Sequence, residues 1–350
     1  MMNRRAMLAL FCLGFVAITA RAAGIRELVI PPDRRGPQIS ALLWTPCASP
    51  PRPITVNRGT IRLTVQGTRN CAPSSKRLPL IVISHGGLED MFSHHDTAEF
   101  LANAGFAVVT FNHTQDSGYS TKDQMDNISG FLVRPIEVKR VIDFVLSSSQ
   151  AFADIDSRRI GFFGHSRGGY TGLVLAGAVP NFKAPPFPCP EEWHMCRQMR
   201  DNNIPEQPDS AFEPRIKAFV IADPVSFFPD KASLQKVAAP IQLWGSERGG
   251  LGVRPEDVVS LEKNLPVSPE FHRPTNSTHL DFLFPCSQDE AKAMSFQCID
   301  DPPGFDRADF HREFNVQMLH FFRKYLPSRE RRNLVSEAVI TGRTSCLPPR

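Results

Sequence analysis

Arg159-Ile160-Gly161-Phe162-Phe163-Gly164-His165-Ser166-Arg167-Gly168-Gly169-Tyr170 is the stretch whose reading decides the architecture. Its first half, Arg159 to Phe163, is an apolar strand pattern. Its second half, continued by Gly172, Ala176 and Gly177, has the small surface that lets a helix pack closely against a strand. Between them, Gly164-His165-Ser166-Arg167-Gly168 is a Gly-x-Ser-x-Gly turn, in which small flanking residues let the chain reverse sharply and push the serine hydroxyl into the open. Ser166 is therefore the candidate nucleophile.

Working outward, strands and helices alternate. Leu80 to Ser84 is a short apolar run ending at His85-Gly86-Gly87, and Phe106 to Phe111 is another, reached through a helix-like stretch after Asp96. Both read as buried parallel strands. Val138, Val141, Ile142 and Val145 recur at helical spacing after Pro135, Ile216 to Ala222 and Ile241 to Trp244 add two more strand runs, and Phe310 to Tyr325 reads as a closing amphipathic helix. Such βαβ alternation implies one doubly wound α/β domain. Combined with the serine turn, the expected fold is the α/β-hydrolase fold over residues 23–326, with a mostly parallel sheet. Leu28 to Ile30 and Ala41 to Trp44 read as antiparallel edge strands at its amino end, followed by a Pro-rich and Arg-containing excursion to Lys76. Residues 181–214 are proline-rich and polar without sheet periodicity, the signature of a cap-like insertion.

Composition narrows the class further. The 350 residues carry 40 Lys and Arg against 36 Asp and Glu, a net +4 with no dense basic stripe, which argues against a nucleic-acid partner. Arg329, Arg331 and Arg332 form the densest basic cluster, in a polar tail over 327–350, and read as a solvated run. Arg4 and Arg5 precede an apolar stretch from Ala6 to Ile18, and Ala20-Arg21-Ala22 offers small residues to a signal peptidase, so residues 1–22 read as an export signal cleaved after Ala22. The paired arginines also suit a twin-arginine signal. Nothing else approaches the roughly 20 apolar residues of a spanning helix. The expected destination is periplasmic or secreted. Cysteine usage agrees with an oxidising compartment. With Cys12 removed, sequence-local pairs suggest Cys47 with Cys71, Cys189 with Cys196 and Cys286 with Cys298, leaving Cys346 free. No short paired spacing suggests a zinc site.

A serine needs a base, and the base needs an orienting acid, in the chain order serine, acid, histidine for this architecture. His311 and His320 fall on the last helix pattern and His194 lies in the insertion. His279, in Asn276-Ser277-Thr278-His279, has the polar lead-in of a catalytic loop and is preferred over His272. For the acid, Asp223 ends the Ile216 to Ala222 run, and Glu247 in Gly245-Ser246-Glu247-Arg248-Gly249 is the alternative. Oxyanion donors are expected from the backbone N–H of Arg167 and from Gly87 in the loop after Ser84, with Leu88 as the alternative. His85 reads as a loop-orienting hydrogen-bonder and the Arg167 side chain as an ion-pair partner. Phe227 and Phe228, after Asp223, are candidate pocket walls among 26 phenylalanines.

Ser84-His85-Gly86-Gly87, Gly164 to Tyr170, Ala222-Asp223-Pro224 and His279 to Phe282 together resemble the bacterial predicted dienelactone hydrolases, relatives of the secreted platelet-activating factor acetylhydrolases. The resemblance runs from about Glu27 to Tyr325. Dienelactone hydrolases proper carry a cysteine nucleophile and an acid after the next strand, and this chain departs from them on both counts. What the resemblance implies is a carboxylic ester hydrolase, acting on a small-molecule or lipid ester through Ser166, Asp223 and His279 and needing no metal or organic cofactor. Two other readings share the fold: a serine peptidase, and a non-catalytic binding protein, whose signature would be a missing triad member.

Overall fold

Leu80, Ile81, Val82 and Ile83 are all buried, and they alternate between two separate apolar clusters. That period-two division is what a strand produces when both its faces are covered. The computed structural model describes residues 23–58, 61–148, 153–183, 189–205, 211–293, 298 and 301–327. The export segment, the basic cluster of the tail and Cys346 lie outside the described residues.

The strands are β1 (Ala23–Ile30), β2 (Ile39–Pro46), β3 (Arg52–Arg58), β4 (Ile61–Arg69), β5 (Leu78–Ser84), β6 (Ala107–Phe111), β7 (Ile155–His165), β8 (Ile216–Ala222), β9 (Ile241–Trp244) and β10 (Glu270–His272). They form one sheet in the order β10-β9-β8-β7-β5-β6-β2-β1-β4-β3. From β10 to β6 every pairing is parallel, and β2 joins β6 antiparallel. The helices are α1 (His95–Asn103), α2 (Lys122–Met125), α3 (Ser129–Ser147), α4 (Arg167–Leu175), α5 (His194–Arg200), α6 (Lys231–Leu234), α7 (Pro255–Asn264), α8 (Gln288–Ala293) and α9 (Arg307–Tyr325).

One face of the sheet packs α3 and α4, with Val138, Val141, Ile142 and Leu173 joining Leu80, Val82 and Phe162. The other packs α1 and α9, whose Phe310, Phe314, Met318 and Phe322 recur at helical spacing and join Ile81, Ile83 and Phe163. Helices on both faces of a mostly parallel sheet are the doubly wound arrangement.

Several elements go beyond the sequence reading, β3, β4 and α3 among them. The sheet continues past β1 and β2: β4 pairs with β1 in parallel and β3 with β4 antiparallel, so the excursion before Lys76 supplies the outermost strands. In β4, Leu63 and Val65 are buried while Thr64 and Gln66 are exposed, a half-buried alternation too short to stand out beside the prolines. Helix α3 begins at Ser129 and contains Pro135 rather than starting after it. An interior proline removes one helical hydrogen bond and costs about 3 kcal/mol. Burial of Phe131, Leu132, Val138, Val141 and Ile142 offsets that cost.

The cysteine pairs Cys47–Cys71, Cys189–Cys196 and Cys286–Cys298 all lie at disulfide distance. Among the described residues, no helix is long and apolar enough to cross a membrane.

Candidate active site

The parallel strands deliver their carboxyl ends to one edge of the sheet, and the candidate residues emerge there. Ser166 follows β7 directly, with φ 55° and ψ −117°, a conformation that L residues adopt only under constraint. The glycines explain how the chain tolerates it. A Cβ on Gly164 would lie 2.2 Å from the Gly168 carbonyl oxygen, and one on Gly168 would lie 1.9 Å from that of Ser84. Strand, turn and helix therefore approach more closely than any side chain would permit.

His279 Nε2 lies 3.0 Å from Ser166 Oγ, and His279 Nδ1 lies 2.7 Å from Asp223 Oδ2. Asp223 follows β8, is fully buried, and has a left-handed backbone, φ 43°. Burial alone would raise its pKa. The hydrogen bond and charge of His279, with two hydrogen bonds from Ser246, outweigh burial and hold the carboxyl below its ordinary value. Ser246 donates its N–H to Oδ1 and its hydroxyl to Oδ2, each at 2.8 Å. The sequence reading passed over Ser246, since a loop serine has no pattern of its own. Its signal is position, immediately after the strand next to Asp223.

The alternatives sit elsewhere. Glu247 accepts the Asn276 N–H at 2.5 Å, bracing the loop that carries His279 without touching its ring. His272 stacks on Trp244 with ring centroids 4.1 Å apart, beside Glu270. His194 opens α5, and His311 pairs with Asp96 at 2.7 Å. A second Ser-His-carboxylate chain, Ser84 to His113 at 2.8 Å and His113 to Glu137 at 2.6 Å, is buried throughout. Burial raises Glu137 to about 7 and pushes His113 well below its usual value, and with no part of it open to the cavity that holds Ser166 this chain reads as a structural network.

Behind the serine turn lies a charged cluster that sequence reasoning also missed. Glu89 Oε2 accepts the Gly86 N–H at 2.7 Å, while Glu89 Oε1 lies 2.8 Å from His165 Nδ1. His165 Nε2 lies 3.0 Å from the carbonyl oxygen of His279. Both ring nitrogens of His165 thus face acceptors, and only the imidazolium can donate to both. Burial opposes that charge, but the Glu89 carboxylate raises the His165 pKa and is itself held well below the carboxylate range. His94 Nε2 approaches Glu89 at 3.2 Å. Glu89, His94 and His165 place donor atoms within 4.8 Å of one another, which is close enough to suggest a cation site. The Glu89 oxygens, however, are already engaged by Gly86 and His165.

Gly87 and Arg167 border the cavity that holds Ser166 and His279, about 240 Å³ in volume and walled by Leu88, Trp193, Val225, Leu251, Leu280 and Leu283. Glu89 occupies the Gly86 amide, so that amide is not available as an oxyanion donor. Arg134, wholly buried, donates to the His85 carbonyl and pairs with Asp116 at 2.6 Å. Asp116 also pairs with Arg167 at 2.7 Å. The loop after β5 is thus braced on both sides. Phe227 and Phe228 pack around Tyr170 in the core and do not line this cavity.

No family model matches the sequence, and no curated protein matches it. Solved structures do. The chain is similar to a ferulic acid esterase from Streptomyces cinnamoneus, with 17% identity, a TM-score of 0.59, and coverage of 90% of this chain and 93% of that one. It is also similar to a dipeptidyl aminopeptidase IV-like protein from Bacteroides ovatus, with 11% identity, a TM-score of 0.51, and coverage of 87% and 36% respectively. This chain has the α/β-hydrolase fold.

Proposed function

We propose that the chain is a serine hydrolase that cleaves carboxylic esters through an acyl-enzyme, with Ser166 as nucleophile, His279 as base and Asp223 as acid. The observation that carries this reading is the continuous chain Ser166 Oγ, His279 and Asp223, with steps of 3.0 and 2.7 Å, at the wall of an apolar cavity. His279 Nε2 takes the Ser166 proton as Oγ attacks the ester carbonyl, and Asp223 stabilises the resulting imidazolium. The Arg167 and Gly87 amides receive the oxyanion, an interaction worth about 3 kcal/mol per donor. Collapse of the intermediate transfers the proton from His279 to the leaving alkoxide, and water then repeats the sequence on the acyl-enzyme.

Two findings favour esters over peptides. The lining of the cavity is mainly apolar, and its carboxylate, Glu89, is engaged by His165 and Gly86 rather than open to a peptide's α-amine. The full-length similarity to an esterase agrees with this. We further propose an extracytoplasmic location, which three cysteine pairs at disulfide distance support.

The deciding experiment is labelling by a fluorophosphonate together with turnover of a 4-nitrophenyl ester. Wild type should be labelled and active. Ser166→Ala should lose both while keeping its circular dichroism spectrum. Residual turnover near wild type in that variant would overturn the assignment, and activity on peptides but not on esters would move the chain to the peptidases.

A further inference from the structure

A second cavity adjoins the first. It also measures about 240 Å³ and shares Leu88, Arg167 and Trp193 with its neighbour. His279 lines the first cavity but not the second.

The second cavity is apolar despite the acids around it. Asp116 is paired with Arg134 and Arg167. Asp126 accepts the backbone N–H groups of His194 and Met195 at 2.8 and 3.0 Å. What remains of the lining is Leu88, Met125, Trp193 and Met195, together with the exposed Lys122. The same Asp126 contacts tie the wall after α2 to the start of α5, and the Cys189–Cys196 pair closes the segment carrying Trp193 and Met195. The two walls are therefore fixed relative to each other.

Reaction geometry says which part of an ester would occupy each cavity. The leaving oxygen must receive its proton from His279 Nε2, which draws the alcohol toward the His279 side, among Leu251, Leu280 and Leu283. The oxyanion faces the amides of Gly87 and Arg167. The remaining substituent of the tetrahedral carbon, the acyl chain, departs away from His279 and reaches the boundary at Leu88 and Trp193.

We propose that the second cavity is the acyl subsite and that it selects an arylalkanoyl group of about phenylpropanoyl size. A cavity of about 150 Å³ already holds benzene. The additional volume here leaves room for a short linker to the ester carbon. The walls suit an aromatic ring: Met125 and Met195 offer polarizable sulfur, and Trp193 offers a flat face. The subsite deepens the esterase reading and rests on it.

The test compares kcat/KM for 4-nitrophenyl acetate, 4-nitrophenyl 3-phenylpropanoate and 3-phenylpropyl acetate in wild type, Trp193→Ala and Met125→Asp. Trp193 is 44% exposed, so its truncation spares the core, and circular dichroism checks that both variants fold. Wild type should prefer the phenylpropanoate over 4-nitrophenyl acetate by at least about tenfold, as expected for burying an aryl arm in a pocket. Each variant should reduce that preference by about tenfold. The ratio between the two acetates should change by less than about threefold. If wild type shows no preference for the aryl acyl group, or the variants leave it intact, the subsite proposal is overturned. If the variants instead reduce the ratio for 3-phenylpropyl acetate, the cavity takes the alcohol and the proposal is again overturned. Wild type that neither hydrolyses these esters nor reacts with a fluorophosphonate would overturn the esterase reading, and the subsite with it.

Discussion

Asp223 and Glu247 stand at the ends of neighbouring strands, and their side chains face different tasks. Asp223 is fully buried, receives the His279 imidazole on one oxygen, and has both oxygens hydrogen-bonded by Ser246. Glu247 hydrogen-bonds the backbone of Asn276. In a serine triad the acid fixes the histidine tautomer and stabilises its charged form, and its amide replacement costs about 10⁴ in turnover. Asp223→Asn should therefore lose several orders of magnitude in kcat on a short-chain ester. Glu247→Gln should stay within about tenfold of wild type, as expected for a residue outside the triad. Measuring both on one substrate decides the point, since a dead Glu247 variant beside an active Asp223 variant would reassign the acid. At this scale the turn that carries the candidate Ser166 was legible because its flanking glycines form a pattern. Ser246 and Glu89 were not, because a polar residue that serves only one distant partner leaves no mark on its neighbours.

The serine turn depends on closeness between elements. The Gly168 Cα faces the Ser84 carbonyl oxygen so tightly that a Cβ would sit 1.9 Å from it, and backbone on both sides cannot move aside. Gly130, in α3, has only ordinary contacts at 3.7 and 3.8 Å around an added Cβ. Gly168→Ala should cost more than about 3 kcal/mol or prevent folding, as overpacking against rigid backbone does. Gly130→Ala should leave stability unchanged or raise it by up to about 1 kcal/mol, through helix propensity. Denaturant midpoints for the two variants test this, and a Gly168→Ala protein as stable as wild type would remove the close-packing explanation of the turn. Continuous apolar runs such as Ile216 to Ala222 and Ile241 to Trp244 gave strand bounds that match β8 and β9, since strands buried on both faces must be apolar throughout. The outer strands β3 and β4 and the first turn of α3 were not legible in the same way. Their local sequence contains Pro53 and lies upstream of Pro135, and it is tertiary packing that sets their bounds.

Across the whole molecule, one buried carboxylate joins the three loops of the candidate site. Glu89 holds the Gly86 amide of the loop after β5, pairs with His165 in the serine turn, and through His165 reaches the carbonyl of His279. Seventy-six residues separate Glu89 from His165 and 114 separate His165 from His279, so no local pattern could have announced the link. Its energetics are those of a buried ion pair, where loss of one partner costs about 3 kcal/mol or more. The pH dependence follows from the two shifts. Glu89 is depressed, so its contribution is present above its unfolded pKa and is lost as pH falls through the lower folded value. His165 is raised, so its contribution is complete below its unfolded value and is lost as pH rises through the higher folded one. The pair therefore stabilises the fold between those limits and weakens on the alkaline side. Glu89→Gln removes the counter-charge and leaves a neutral His165, whose hold on the His279 carbonyl falls from a charge-assisted hydrogen bond to an ordinary one. The variant should lower kcat by about tenfold or more with a smaller change in KM, because the loss falls on positioning rather than on substrate contact. Its deficit in melting temperature should be largest below the raised His165 pKa and should shrink across the pH range that rises through it, where wild type itself loses the imidazolium. A deficit that stays constant across that range, with an unchanged pH profile of kcat, would mean that Glu89 only packs and hydrogen-bonds, and that the charge on His165 does not position the site.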